Sequence, residues 1–304
     1  MVYDTLIIGA GPAGMSAALF AEGDNLNFRL IDKGIPCQFV EEVINTNFTN
    51  LENYLGLHDI TGTRAAEVFR EHLSAREIAV VKERINEIKF CDNLFHIDSN
   101  KERYATKTII MATGTRPRTL VVPGIEKVYR KIHYKLDHDF SNYIGYDVLV
   151  IGGRNSGAVT AIRLKEMGVN PIIIEKARKS TAKEKYLERL REFSIPMLTN
   201  SSLERIIGDG EIAETQLIID GKLISMNPIA IFGCIGYVPN NEFGIKLGLN
   251  MDNQGYIEVD RKMQTSRNGV YAAGDVNGGV KMIAVASGEG AIAEYYANSF
   301  VRSE

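Results

Sequence analysis

Two stretches of the chain combine glycines and a carboxylate in a spacing suited to holding phosphate and ribose. The first is Gly9-Ala10-Gly11-Pro12-Ala13-Gly14, followed by Asp32. In such a turn Gly9 permits the sharp reversal after a strand, Gly11 lets a pyrophosphate come up to the backbone, and Gly14 lets helix and strand pack closely. The helix that follows aims free N–H groups and a positive dipole end at the phosphates. Asp32 is placed to accept from ribose hydroxyls. The second stretch is Gly152-Gly153-Arg154-Asn155-Ser156-Gly157 followed by Glu175, with the same glycine-to-acid spacing. Two further signals accompany these. Thr113-Gly114 ends an apolar strand, where backbone can lie against a bound nucleotide. Gly274-Asp275 puts a carboxylate after a buried strand, where it must be paired or hydrogen-bonded.

The elements that position these residues follow the same plan twice. Tyr3 to Ile8 is predicted as a buried strand, Pro12 to Glu22 as a helix, and Phe28 to Ile31 as a strand ending at Asp32. Asp147 to Ile151, Ser156 to Met167 and Pro171 to Ile174 repeat strand, helix and strand, ending at Glu175. Each is a βαβ unit of dinucleotide-binding layout. The expected class is therefore α/β, with two Rossmann-type dinucleotide-binding domains, the second inserted into the first. The expected boundaries are 1–117 with 238–304 for the first domain and 118–237 for the second. GVYAAGDV, Gly269 to Val276, reads as a short buried strand and an acidic turn. A helix from Ala284 to Phe300 is then expected to pack back on the N-terminal domain.

Composition agrees with two ordinary cores. The chain has 304 residues, 45% hydrophobic and 24% charged, with a net charge of -3. Such a balance gives no reason to expect a nucleic-acid partner. No apolar run approaches the roughly 20 residues of a membrane span, and no signal-peptide pattern opens the chain, so a cytoplasmic protein is expected. Cys37, Cys91 and Cys234 are odd in number and far apart, which speaks for a reducing compartment rather than a disulfide scaffold.

GAGPAG, ATG, the GGxNS unit, GYVPN, GVYAAGDV and ASGEGAIA, in that order, resemble the thioredoxin-reductase family over nearly the whole chain. The resemblance implies an FAD domain built from the two chain ends, a nicotinamide-nucleotide domain between them, and a homodimer. It implies that Gly9, Gly11, Gly14 and Asp32 hold the FAD pyrophosphate and ribose and that Asp275 lies by the ribityl chain. It puts Gly288 to Gly290, at the start of the last helix, and Gln38, in the stretch IPCQ, near the flavin ring. The stretch around DVLVIGGRNS reads closer to bacillithiol-disulfide reductases, which carry a cysteine where this first glycine motif has Ala13.

The chain departs from the family at two places. Family reductases carry Cys-x-x-Cys in a stretch like YCATCD; here it reads Tyr134-Lys135-Leu136-Asp137-His138-Asp139, with Lys135 and His138 in the cysteine positions. His138 is a candidate proton donor to reduced flavin. Cys37, on the flavin-side loop, is a candidate for reaction with a disulfide or with flavin, set against a reading as a small buried hydrophobe. The second departure is Arg154, which replaces the middle glycine of the second turn. Its side chain either blocks a pyrophosphate or binds one through its guanidinium. Glu175 would accept ribose hydroxyls and repel a 2′-phosphate, favouring NADH over NADPH, while Arg178 and Lys179 remain able to reach a phosphate. The expected function is an FAD-dependent oxidoreductase passing electrons from NAD(P)H through FAD directly to an acceptor, such as an electron-transfer protein, a small disulfide, a quinone or oxygen. The alternative is a flavin-binding redox partner or sensor with a degenerate NAD(P)H site.

A dithiol relay to thioredoxin needs an attacking and a resolving sulfur within reach of each other. With Lys135 and His138 in those positions, a coupled assay with thioredoxin, a chromogenic disulfide and NADH or NADPH should stay at background for the wild type and for Cys37→Ser alike. Strong wild-type turnover that Cys37→Ser abolishes would make Cys37 catalytic.

Overall fold

The computed structural model describes residues 1–37, 51, 53–136 and 139–303. The chain divides into two units, Met1–Arg116 with Val238–Glu304, and Pro117–Tyr237. The first begins with β1 (Val2–Ile8), α1 (Pro12–Gly23), β2 (Phe28–Asp32), α2 (Gly62–Ala75) and β3 (Val80–Lys82). A meander follows, β4 (Ile85–Cys91), β5 (Leu94–Ser99) and β6 (Arg103–Met111), and then β7 (Thr115–Pro117). The second unit contains β8 (Ile132–His133), β9 (Asp147–Ile151), α3 (Asn155–Glu166), β10 (Asn170–Ile174), α4 (Glu184–Glu192) and β11 (Met197–Leu198). It continues with β12 (Ser201–Asp209), β13 (Glu211–Ile219), β14 (Lys222–Met226) and β15 (Ala230–Gly233). The chain returns through β16 (Tyr237–Pro239), which pairs with β7, and ends in α5 (Glu242–Lys246), β17 (Val270–Ala272) and α6 (Ile283–Ser303).

The sheet of the first unit runs β3-β2-β1-β6-β5-β4. β1 lies parallel to both β2 and β6, so it is central and carries no polar face. Its residues alternate between two cores. Ile7, with Leu30 and Ile110, faces the side of α1, α2 and α6; Leu6 and Ile8, with Ile31, Ile109 and Met111, face Phe95 and Ile97 of the meander. β6 divides its other edge, pairing antiparallel with β5 over its first half and parallel with β17 over Ile109–Met111. That brings the returning chain beside β6, one strand away from β1, and sets the Gly274-Asp275 turn at the same sheet end as the Gly9 turn.

The second unit has a five-stranded parallel sheet, β11-β10-β9-β15-β8, and a separate antiparallel sheet, β12-β13-β14. Both units are thus strand, glycine turn, helix, strand, which is the α/β, Rossmann-type class expected. The second unit's antiparallel sheet turns at Gly210, φ +71, and at Asp220-Gly221, φ +47 and +78. The last helix, Ile283–Ser303, begins within one residue of its expected start. The Ala286 amide donates to the Met282 carbonyl at 3.0 Å, so the helix is already formed ahead of Gly288 to Gly290, which lie inside it. Cys91 ends β4, exposed at the hairpin. No helix among the described residues is long and apolar enough to cross a membrane.

The tightest joints are Gly14 and Gly157, where a Cβ would run into the carbonyl of Gly9 and of Gly152 respectively. Gly14→Ala and Gly157→Ala should each cost at least about 2 kcal/mol in urea unfolding, since backbone on both sides has nowhere to move. Gly23→Ala, with open space around the new methyl, is the control and should be neutral or slightly stabilising.

Candidate functional site

The first site is built at the end of β1. Gly9 turns the chain at φ +107, a conformation open to glycine, and a Cβ there would strike the Ala112 carbonyl. Its amide donates to the Ile31 carbonyl at 2.7 Å. Asp32 closes the turn from the end of β2: Oδ2 accepts from the Ala10 amide and Oδ1 from the Gly34 amide, each at 2.7 Å. Pro12 is the first residue of α1, and Gly11 caps it in extended backbone, φ -79 and ψ -176. Gly11 differs from its neighbours, because a Cβ there would meet nothing within 4 Å. Gly9 and Gly14 are demanded by the protein itself; Gly11 leaves open space over a helix N-terminus. Buried Ala13 packs under the Gly274 turn.

Two further segments face this turn from the same unit. Thr113 and Gly114 are held by Asn240, just past β16. Thr113 Oγ1 donates to the Asn240 carbonyl and Asn240 Nδ2 to the Thr113 carbonyl, both at 2.7 Å, and the Asn240 amide donates to the Gly114 carbonyl at 2.9 Å. The Gly274 turn is held from α6: Glu289 Oε2 accepts from the Gly274 amide at 2.7 Å and from Asn277 Nδ2 at 2.9 Å. Asn240 and Glu289 were not among the candidates from sequence; the GYVPN and GEG motifs contain them, but only the fold shows what they grip. Asp275 itself has one long contact, with Thr115 Oγ1 at 3.5 Å. Burial raises its carboxyl above the usual range, and Lys281 opposes the rise. Such a carboxylate has capacity left for hydroxyl donors. The open cradle at Gly11, the acid at Asp32 and the under-partnered Asp275 fit a pyrophosphate, a ribose and a polyhydroxyl chain, the parts of FAD. Gly288 is exposed on α6.

The second unit repeats the geometry. Gly152 turns at φ +106 under the Cys234 carbonyl, and its amide donates to the Ile174 carbonyl at 2.8 Å. Glu175 Oε2 accepts from the Gly153 amide at 2.6 Å and Oε1 from the Ala177 amide at 2.8 Å. Arg154 caps α3 at φ -81 and ψ -169, the Gly11 conformation, and its side chain therefore leaves the backbone where the first unit keeps open space. The segment after Glu175 folds onto this turn. Ser180 Oγ donates to the Gly153 carbonyl at 2.6 Å, and Asn155 Oδ1 accepts from the Lys183 amide at 2.9 Å. Arg154, Asn155, Ser156 and Arg178 are exposed, whereas Glu175 is only 8% exposed, with an amide on each oxygen.

Of the candidate catalytic residues, Cys37 belongs to the first unit and Lys135 to the second. Cys37 is 3% exposed; its amide donates to the Ala10 carbonyl at 2.8 Å and its thiol to Met15 Sδ at 3.1 Å. Burial pushes the thiol up to about 12, against the pull of Arg70. The attacking species in thiol chemistry is the thiolate, which this burial disfavours. Cys234 is likewise pushed up by burial to about 11, with its thiol 3.5 Å from Thr160 Oγ1. Lys135 is half-buried after Tyr134, whose hydroxyl accepts from the Leu120 amide at 2.8 Å. His138 and Gln38 lie outside the described residues. His133 and Phe140 flank the Lys135 segment and pack edge to face, with ring centroids 5.1 Å apart.

Two dinucleotide folds with one open and one side-chain-filled phosphate cradle define a class, the flavoprotein oxidoreductases with a nicotinamide-nucleotide unit. Residues 3–290 match the family described as pyridine nucleotide-disulphide oxidoreductase, and the chain belongs to it. It is 31% identical over 305 residues to the 34.2 kDa protein in the rubredoxin operon of Clostridium pasteurianum, covering 98% of this chain and 97% of that one. It is 28% identical over 306 residues to a thioredoxin reductase of Listeria monocytogenes, covering 99% and 94%. The crystal structure of T. acidophilum thioredoxin reductase superposes with a TM-score of 0.87 at 31% identity, covering 99% of this chain and 98% of that one. The protein is an FAD-dependent, thioredoxin-reductase-like oxidoreductase, and its family uses FAD and NAD(P)H.

Gly11→Val puts a branched side chain into the open cradle without touching the fold. The purified variant should lose most of its flavin, by tenfold or more in affinity, on the order of the 1.4 kcal/mol or more that a displaced phosphate contact represents. The unfolding midpoint of its flavin-free form should match wild type. Full flavin retention would take the pyrophosphate away from Gly11.

Proposed function

We propose that the first unit holds FAD and the second a nicotinamide nucleotide, and that electrons leave the flavin directly for an external acceptor rather than through a protein dithiol. The observation that carries this reading is the pair of residues in the dithiol positions, Lys135 and His138, together with the burial of Cys37 at 3% exposure. Bound FAD would supply the redox chemistry. The chain supplies placement. The α1 N-terminus and Gly11 receive the pyrophosphate, Asp32 accepts from the ribose, and Asp275 accepts from the ribityl hydroxyls. Asn240 and Glu289 are positioning residues that hold the Thr113-Gly114 and Gly274-Asp275 backbones. The acceptor is a small electron-transfer protein or a small disulfide. The protein acts as a homodimer, as the thioredoxin-reductase resemblance implies.

The second turn supports a second reading. Arg154 fills the place of an open glycine, and Ser180 and Asn155 tie the following loop onto the turn. These features suit a flavin-binding redox partner or sensor whose NAD(P)H site has lost its function. On the first reading the Arg154 guanidinium takes over the phosphate contact that backbone makes elsewhere.

Anaerobic titration separates the two. On the first reading NADH bleaches the flavin several-fold faster than NADPH, because the Glu175 carboxylate disfavours a 2′-phosphate. Arg154→Gly then raises the KM for NADH roughly tenfold at little change in kcat, the loss of a charge-assisted hydrogen bond worth about 1.5–3 kcal/mol. Bleaching by dithionite but by neither nucleotide would establish the second reading. Equal or faster reduction by NADPH would remove the discriminating role of Glu175, and an improved KM in Arg154→Gly would make the arginine an obstruction.

A further inference from the structure

The seam between α1 and α6 contains a carboxyl group that the flavin site does not use. Glu294 on α6 is 0% exposed, and neither of its carboxylate oxygens has a hydrogen-bond partner among the described residues. It lies four residues after Gly290, where a Cβ would strike the Ala13 carbonyl, and four before Asn298, whose Nδ2 donates to Asp24 at the C-terminal cap of α1 at 2.7 Å. Residues four apart share a helix face, so Glu294 sits midway along the contact with α1. The buried residues of α1 there are Ala13, Gly14, Met15, Ala17, Ala18 and Ala21, and none has a donor side chain.

The other charges on the packed elements are engaged elsewhere. Glu22 of α1 pairs with Arg76, Asp4 of β1 with Lys107 of β6, and Arg103 of β6 with Asp98. Glu289 of α6 holds the Gly274 amide. The tyrosine hydroxyls are engaged too: Tyr271 of β17 donates to the Tyr296 carbonyl of α6 at 3.0 Å, Tyr104 of β6 donates to Glu83 at 2.9 Å, and Tyr3 of β1 accepts from Arg29 at 2.9 Å. Asp24 and Arg302 are the charges that act on Glu294, and both are already joined through Asn298, whose Oδ1 accepts from Arg302 Nε at 2.7 Å. An ionised carboxylate in such a place has lost its water and gained nothing in return. Burial pushes the Glu294 carboxyl up to about 7, with Asp24 adding to the rise and Arg302 opposing it.

These two helices also carry the flavin-side features: Gly11 caps α1, and Glu289 of α6 grips the Asp275 turn. We propose that Glu294 makes the α1–α6 seam a proton-dependent clamp on the FAD site, closed while the acid is neutral and loosened when the carboxylate ionises and draws in water. The proposal rests on the reading that the first unit binds FAD. The sign follows from linkage. The native seam keeps a proton that the unfolded chain releases at the ordinary glutamate value of 4.5, so the contribution is fully present below that pH and is lost as the pH rises to about 7.

The experiment measures FAD affinity and the melting temperature of the flavin-free full chain from about pH 5 to about pH 8, in wild type, Glu294→Gln and Glu294→Met. Wild-type FAD affinity should fall roughly tenfold more across that range than affinity in either variant, the size of one pKa unit of linkage. The flavin-free wild type should lose melting temperature with rising pH relative to both variants. Parallel pH profiles in wild type and variants would overturn the clamp. Should neither variant fold, the infrared band of the protonated carboxyl in wild type decides: it must vanish in step with flavin release, and a band that does not titrate overturns the proposal. Absence of flavin binding in every protein at every pH would overturn the FAD reading instead, and the melting profiles would still report on Glu294.

Discussion

In each unit, a carboxylate at the end of the second strand accepts the backbone N–H of the glycine turn that ends the first. Asp32 does this for Ala10 at 2.7 Å and Glu175 for Gly153 at 2.6 Å. A hydrogen bond to an ionised acceptor is among the stronger bonds available to a chain. Here it fixes the turn in the one conformation, φ near +107 and +106 at Gly9 and Gly152, that drives their carbonyls against Gly14 and Gly157. The helix is thereby locked onto its strand, and its N-terminus can point only out over the sheet end. The glycine turn and the helix N-terminus that a phosphate would meet are placed by this closure.

The two units agree where the protein presses on itself and differ where only a ligand would. Gly9, Gly14, Gly152 and Gly157 all sit against backbone, and no side chain could replace any of them without movement. Position 11 has no such neighbour, and its counterpart in the second unit is an arginine in the same backbone conformation. Likewise Ala112 and Cys234, which supply the carbonyls over the two turns, differ in side chain while making the same backbone contact. The fold tolerates these exchanges at no steric cost, so they bear on what each site accepts rather than on whether it forms.

Close helix packing carries its own tension. The small residues of α1 and α6 let the helices approach until Gly290 rests on the Ala13 backbone. The same small residues leave no donor for a polar group caught between them, and Glu294 is caught there. The Cys37 thiol is a milder case: beside Met15, in an apolar setting, its ionisation is suppressed by the same loss of water.

The two glycine-acid turns, their flanking strands and helices, and the α/β class were legible because each rests on local sterics. A glycine that must adopt positive φ and an acid at a set distance along the chain describe a turn whatever the rest of the protein does. The absence of a Cys-x-x-Cys is read directly from the sequence, where Cys37, Cys91 and Cys234 lie far apart. Other features depend on which distant segments meet, and no local pattern encodes that. Asn240 grips Thr113 from the far side of the second unit in sequence, and Glu289 reaches back to Gly274. Whether the Cys37 thiol and the Glu294 carboxyl are solvated or enclosed turns on burial. Burial is a sum over neighbours brought in by the whole fold, so only the tertiary structure decided it.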